Sequence, residues 1–250
     1  MTRIILHGCS GKMGQTIAQL AAETKDIEIV AGIDRTPTSA AFPLFSSLKE
    51  CDVDADVVLD FSVAAAVDKL MEECTEKNLP LVLCTTGLSK EQVESVHRTA
   101  ERIPVLYSAN MSLGVNLMSS LIQKAALVLV NSGFDIEIIE KHHKHKKDAP
   151  SGTALYLADS INQVLDDRYS YNYDRSPQRK ARKKEEIGIV SLRGGNIAGE
   201  HQVIFAGEDE ILEIHHKAGS RRIFAVGAIG AARFLKGKAA GLYTMSDVIG

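Results

Sequence analysis

Apolar and polar positions change their period along this chain, and the change divides it in two. From Ile4 to Tyr107, short apolar runs alternate with stretches of helical spacing. Ile4 to Leu6 is a run closed by His7 and Gly8, after which Lys12 to Glu23 places Met13, Ile17, Leu20 and Ala21 on one helical face. The same reading predicts strands over Ile27 to Ile33, Asp56 to Asp60, Leu81 to Cys84 and Val105 to Tyr107. Helices are predicted over Ala64 to Lys77 and Lys90 to Arg102. Strands separated by helices of roughly 10–15 residues need crossover connections, which give a parallel sheet.

The second half reads differently. Phe134 to His143 is extended and Thr153 to Leu165 is helical; three strand-like runs follow at Ile187 to Arg193, Glu200 to Phe205 and Ile211 to Lys217. Consecutive strands with Gly-rich turns suggest an α+β unit with a mostly antiparallel sheet. The join is placed near Ser112. Arg222 to Leu235 is again helical and strongly apolar, but periodicity alone does not say which unit it packs on.

Composition removes several classes of function. With 29 Lys and Arg against 32 Asp and Glu, the net charge of −3 provides no basic field for nucleic acid. The longest apolar runs, such as Ala125 to Val130, fall far short of the ~20 residues that span a membrane. Arg3 is followed by only three apolar residues, which is not the shape of a signal peptide. Cys9, Cys51, Cys74 and Cys84 show no CxxC spacing, so they read as reduced thiols of a cytoplasmic protein, with neither a zinc site nor a disulfide framework indicated.

Between the first strand and first helix lies Gly8-Cys9-Ser10-Gly11-Lys12-Met13-Gly14, a GxxGxxG variant of the dinucleotide fingerprint. By itself a structural Gly-rich turn explains it equally well. Asp34 changes the picture: it closes the second strand 20 residues after Gly14, where a carboxylate would accept ribose hydroxyls. Arg35 beside it suits a 2′-phosphate, so the pair points to both NADH and NADPH. Thr85-Thr86-Gly87 and Ser108-Ala109-Asn110 end later strands, where parallel sheets bind ligands.

The most unusual segment runs from Glu140 to Thr153 and places three histidines within four residues. Three readings are open. A metal site is one, although only His143 and His145 of the three would share a strand face, and the flanking lysines oppose a cation. A solvated basic run is another. The third is catalysis with anion binding, with histidine and lysine as acids and a helix start at Ser151 offering the amides of Gly152 and Thr153. The later run Arg175 to Lys184 is read as a solvated loop, with an anionic-ligand contact as the minor alternative.

The segment EKHHKHKKDAPSGTA closely resembles the signature of the dihydrodipicolinate reductases, E-x-H-H-x-x-K-x-D-x-P-S-G-T-A, with every fixed position present. GCSGKMG, TTG at Thr85, SANMSLGVN from Ser108 and GEH at Gly199 resemble the same family, so the likeness covers essentially the whole chain. Between Asp34 and Asp56 the chain is shorter than many members. The resemblance implies hydride transfer from NADH or NADPH to a cyclic unsaturated dicarboxylate, in lysine and diaminopimelate biosynthesis. It implies His142 as proton donor or acceptor, Lys146 as its partner acid, and His143, Gly152 and Thr153 as substrate-carboxylate contacts. Nucleotide contacts would come from Gly8, Cys9, Ser10, Gly11, Lys12, Met13, Asp34, Arg35, Cys84, Thr85, Thr86, Ser108, Ala109, Asn110 and Met111. It further implies a Rossmann-type domain of residues 1–112 and 221–250, a substrate-binding and oligomerisation domain over 113–220, and a homotetramer. Two rivals, an aspartate dehydrogenase-like amine enzyme and a nucleotide-sensing regulator, lack an explanation for the long signature.

Overall fold

The computed structural model describes residues 1–36 and 40–250. In chain order, the first elements are β1 (Thr2–His7), α1 (Lys12–Ala22), β2 (Ile27–Ile33), β3 (Leu44–Phe45), β4 (Val57–Asp60), α2 (Ala64–Glu76), β5 (Leu81–Leu83), α3 (Lys90–Ala100) and β6 (Pro104–Tyr107). There follow α4 (Leu113–Leu129), β7 (Asp135–His142), α5 (Gly152–Gln163), β8 (Ser170–Asn172), β9 (Glu186–Arg193), β10 (Glu200–Ala206) and β11 (Ile211–Lys217). The chain ends with α6 (Arg222–Leu235), β12 (Gly241–Tyr243) and α7 (Met245–Ile249). These elements form two compact units, Met1–Leu113 with Arg221–Gly250, and Gly114–Ser220.

The first unit holds a parallel sheet of seven strands in the order β12-β6-β5-β4-β1-β2-β3. Its central strands are apolar on both faces because helices cover both faces. Ile4, Leu6, Val57 and Leu59 pack with Ile17 and Leu20 of α1 and Ala225, Ala228 and Ala232 of α6. Their neighbours in sequence, Ile5 and Val58, point the other way, onto Val67 and Leu70 of α2 and Val96 of α3. Strand order reverses at β1, flanked by β2 and β4, and the carboxyl ends of these strands are the topological switch point where such sheets bind ligands. The C-terminal segment, left unplaced by periodicity, thus supplies both a covering helix and an edge strand of this unit.

In the second unit the order is β11-β10-β7-β9-β8. β10 is antiparallel to both β11, to which a short turn joins it, and β7, which lies far before it in the chain. β9 instead runs parallel to β7 and β8, so the sheet is mixed. The physical reason is α5: the chain crosses over through this helix after β7 and returns in the same direction.

α4 was not anticipated. Polar residues such as Asn116, Ser119 and Lys124 break its sequence into short apolar runs, while Leu117, Leu121 and Leu127 stay exposed and blur any single apolar stripe. Continued through a 3-10 turn to Ser132, it is long and apolar enough to cross a membrane by length and composition alone. One face, however, carries Val115, Met118, Ile122 and Ala126 in the core with Ile136, Ile138 and Phe205. The basic run is not wholly solvated either. Arg175 pairs with Glu137 and Glu186, and Arg182 with Asp135 and Glu137, strapping the loop to β7 and β9.

Candidate functional site

The candidate site residues lie in both units. In the first unit the glycine loop is shaped by backbone contacts. Gly8 has φ +78°, and a Cβ on it would lie 2.6 Å from the Phe61 carbonyl oxygen; one on Gly14 would lie 2.4 Å from the Gly8 carbonyl. Gly11 caps α1 without a side-chain hydrogen bond, so the helix start is not covered by its own cap. A cleft of about 490 Å³ is lined by Gly11, Lys12 and Met13, by Cys84, Thr85 and Thr86, and by Ala109 and Met111. The loops following β1, β5 and β6 therefore converge on one space.

Asp34 ties this loop to the end of β2. The Ser10 amide donates to its Oδ2 at 3.1 Å and the Thr36 amide to its Oδ1 at 3.3 Å. Arg35 lines a separate cleft of about 210 Å³ with His7, Leu48, Val63, Ala66 and Lys69. Ser108 and Asn110 shape the turn after β6: the Asn110 amide donates to Ser108 Oγ at 3.2 Å, and the Ser112 amide to Asn110 Oδ1 at 3.0 Å. Cys9 and Cys84 are buried, and burial pushes both thiols up, Cys84 well above its ordinary value. Both are therefore held as thiols rather than thiolates. Beneath the cleft, fully buried Asp60 accepts from Thr85 Oγ1 at 2.6 Å and from the Ser62 amide at 3.2 Å, and its Oδ1 lies 2.6 Å from His7 Nδ1.

In the second unit His142 is the last residue of β7, and Lys146 lies in the turn that follows, its Nζ 2.8 Å from Asp148 Oδ2. His143 and His145 have ring centroids 6.3 Å apart. α5 starts at Gly152, with Thr153 second, and Ser151 caps it: Ser151 Oγ accepts from the Ala154 amide at 3.1 Å. The same Oγ lies 2.9 Å from Nε2 of buried His201, whose ring meets that of His142 edge-on at 5.2 Å. Glu140, fully buried, lies 2.6 Å from His142 Nδ1. It accepts a bidentate contact from Arg193 at 2.8 and 2.7 Å and the Ser151 amide at 3.1 Å. Burial alone would raise the Glu140 carboxyl, but the bonds from Arg193, His142 and Ser191 outweigh it and hold it at about 2. His201 is pushed down to about 3 by burial and by the neighbouring His142. Among the described residues, no group of three His, Cys, Asp or Glu side chains is placed to hold a metal ion.

The sequence profile of the N-terminal part of dihydrodipicolinate reductase matches residues 2–111, and that of its C-terminal part matches residues 114–249. The chain belongs to the dihydrodipicolinate reductase family. A 4-hydroxy-tetrahydrodipicolinate reductase of Caldanaerobacter subterraneus subsp. tengcongensis is 51% identical over 249 residues, covering 100% of this chain and 98% of that one. The enzyme of that name from Zymomonas mobilis is 42% identical over 252 residues, covering 99% and 97%. Among solved structures, a dipicolinate-bound dihydrodipicolinate reductase from Paenisporosarcina sp. TG-14 superposes with a TM-score of 0.85 at 27% identity, covering 100% and 99%. An amine dehydrogenase of Mycobacterium smegmatis shares the fold, with a TM-score of 0.64 at 11% identity over 98% and 95%.

Of the residues singled out from the sequence, Gly11 to Met13, Cys84 to Thr86, Ala109 and Met111 line one cleft of the first unit, Cys9 and Ser10 line another, and Arg35 lines a third, while His142 to Thr153 lie in the second unit. Four side chains that organise them did not stand out: Asp60 and Arg193, and Glu140 and His201 beyond their places in the segments that carry the resemblance. Alternation held the one available signal. Ile136, Ile138 and Glu140 share the inward face of β7, and a carboxylate at an inward position demands partners. Those partners lie as far as 53 residues away and become visible only when β9 pairs with β7.

Proposed function

We propose that this chain catalyses the pyridine-nucleotide-dependent reduction of 4-hydroxy-tetrahydrodipicolinate, in lysine and diaminopimelate biosynthesis, with the dinucleotide bound by the first unit and the dicarboxylate by the second. The observation that carries the assignment of residues is the grouping of His142, Lys146 and the start of α5 at one end of β7. The first unit fits a dinucleotide. Side chains are excluded at Gly8 and Gly14 and absent at Gly11, so backbone and helix start can approach a pyrophosphate. Gly8 to Met13, Cys84 to Thr86 and Ser108 to Met111 hold the nicotinamide and phosphate side, and Asp34 with Arg35 the adenosine ribose.

The dinucleotide supplies the hydride. The protein supplies a proton and fixed charge. Hydride addition to a conjugated C=N/C=C system leaves an electron-rich atom, and a cationic acid beside it lowers the barrier, contributing typically ~10²–10⁴-fold. His142 gives the proton, with Lys146 as partner acid. The substrate carboxylates sit against His143 and the helix start at Gly152 and Thr153, where oriented amides and the helix dipole favour an anion. The dipicolinate bound by the Paenisporosarcina relative is a ring dicarboxylate of the same kind. We also read the chain as a homotetramer built through the second sheet, whose outer face exposes Val190, Leu192 and Ile211. Sedimentation at four times the chain mass of 27.1 kDa is expected.

The test is oxidation of NADH and of NADPH with substrate generated in situ, against aspartate and against oxaloacetate plus ammonia. Turnover is expected with the dicarboxylate alone. Turnover of the amine substrates, or nucleotide binding without any turnover, overturns the reading. His142→Ala should lower kcat by ~10²-fold or more, and Lys146→Ala likewise with a raised KM for substrate, while NADH affinity holds. Near-normal turnover in both variants would remove the catalytic assignment.

A further inference from the structure

The acid chemistry assigned to His142 leaves open which ring nitrogen carries the transferable proton and what holds the ring. Glu140 answers both. Its carboxylate is ionised, hence acceptor-only, so the ring nitrogen facing it at 2.6 Å must be a donor. That nitrogen is Nδ1. The remaining nitrogen, Nε2, lies beside Gly199, where a Cβ would come within 3.1 Å of it, and it has no hydrogen-bond partner among the described residues. The carboxylate is itself immobilised. Arg193 grips both of its oxygens from β9, and the Ser151 amide grips Oε1 from the cap of α5. The Arg193 guanidinium also donates to the Asp148 carbonyl at 2.6 Å, and Asp148 pairs with Lys146. One buried side chain thus joins the end of β7, the turn carrying Lys146 and the first residue before α5.

We propose that Glu140 is a positioning residue for the reduction: clamped by Arg193 and the Ser151 amide, it locks neutral His142 in the Nδ1–H tautomer, so that the proton gained and given up by the ring is the one on Nε2 of the imidazolium, and it fixes that nitrogen relative to the α5 anion site. The inference rests on the reading of His142 as the acid. In the proton step, the Nε2–H bond of the imidazolium breaks and its proton joins the substrate atom made electron-rich by hydride addition. The Nδ1–H bond to Glu140 persists, so no proton passes to the carboxylate. This is the division of labour between an orienting carboxylate and a working imidazole in hydrolytic triads, where loss of the carboxylate charge leaves the geometry and spoils the tautomer.

The decisive measurement is read on the wild-type chain. In uniformly ¹⁵N-labelled protein, with the His142 ring assigned by its loss in His142→Gln, neutral His142 should show a protonated Nδ1 and an unprotonated Nε2. A protonated Nε2 in the neutral ring, or averaging between the two tautomers, overturns the proposal. In Glu140→Gln the acceptor becomes an amide that can donate or accept, so the tautomers should mix and kcat fall ~10²-fold, with affinity for NADH unchanged. Arg193→Lys, which keeps the charge and loses the bidentate grip, should give a smaller loss of the same kind. If Glu140→Gln does not fold, the wild-type tautomer and Arg193→Lys still decide. If His142→Ala keeps turnover, the acid assignment fails whatever the tautomer. If His142→Ala abolishes turnover and Glu140→Gln does not reduce it, the positioning role alone fails.

Discussion

At Gly199 a single methyl group would decide whether His142 keeps its place. A Cβ there would come within 3.1 Å of Nε2, so the imidazole would have to give by a few tenths of an ångström. It has little room, held at 2.6 Å by Glu140 on one side and bounded by the His201 ring. Gly199→Ala should therefore lower kcat by tenfold or more, since small misplacements of reacting groups cost up to ~10²-fold. NADH affinity, measured by direct titration, should stay as it was. Unchanged kcat would mean the ring is free to move without consequence. Cofactor choice is argued at the same scale. Asp34 already accepts two amides, from Ser10 and Thr36, so it presents a fixed negative charge beside Arg35. In the proposed nucleotide site that charge would suit ribose hydroxyls and repel a 2′-phosphate, and Arg35 would offset the repulsion with a bidentate contact. Both cofactors should work, with a modest lean to NADH. Asp34→Ser should move the kcat/KM ratio toward NADPH, and Arg35→Ala should move it back and blunt the salt dependence of NADPH binding. Ratios unmoved by either change would show that these side chains do not read the ribose.

Elements show a second kind of dependence, because one cap serves two purposes. Ser151 Oγ ends the run of unpaired amides at the start of α5 and also meets buried His201. Ser151→Ala removes the cap and leaves a buried imidazole nitrogen without its partner, a combined cost of ~1–3 kcal/mol. Fraying of the first turn would loosen Gly152 and Thr153, so KM for the dicarboxylate should rise along with the lost stability. A stability loss without any change in KM would separate α5 from substrate binding. The beginning of this helix was legible in the sequence, since Pro150-Ser151-Gly152 breaks the extended pattern ahead of a helical one. The parallel strands of the first unit were legible for a related reason, as runs such as VVLD are buried from end to end. Pairing between distant strands was not. Consecutive runs at β9, β10 and β11 read as neighbours, whereas β9 lies across β7 from β10. β12, only three residues long, gains its place by pairing with β6 from more than a hundred residues away. α4 escaped because its apolar residues are spread around the helix, which removes the 3.6-residue signal that periodicity relies on.

At the scale of the whole molecule, the buried polar network of the second unit should govern how stability responds to acid. His201 has its folded-state value depressed to about 3, chiefly by burial, with His142, His216 and Lys146 adding to the depression and Glu140 opposing it. An unfolded histidine takes up its proton near 6.5, so between pH 6.5 and 3 the unfolded chain binds a proton that the folded chain refuses. Stability therefore falls as pH falls through that window. His216, lowered by burial and by His215, acts in the same direction. Glu140 adds a lower window: its carboxyl is held at about 2 against an ordinary 4.5, so its contribution is complete above 4.5 and is lost on the way down to 2. From pH 6.5 to 4.5 the histidines act alone, and from 4.5 to 3 both kinds of group act together. Each proton contributes at most ~1.4 kcal/mol per pH unit, so His201 alone should remove ~1–2 kcal/mol between pH 7 and pH 5. Urea unfolding followed by tyrosine fluorescence suits the measurement, because four of the six tyrosines, Tyr156, Tyr169, Tyr171 and Tyr173, lie in this unit. His201→Gln should be less stable at pH 7, having lost its fit to Ser151, yet its stability should change far less between pH 7 and pH 5 than that of the wild type. His216→Gln gives the background from the neighbouring ring. Parallel pH curves for wild type and His201→Gln would show that His201 is not the buried neutral group that this network requires.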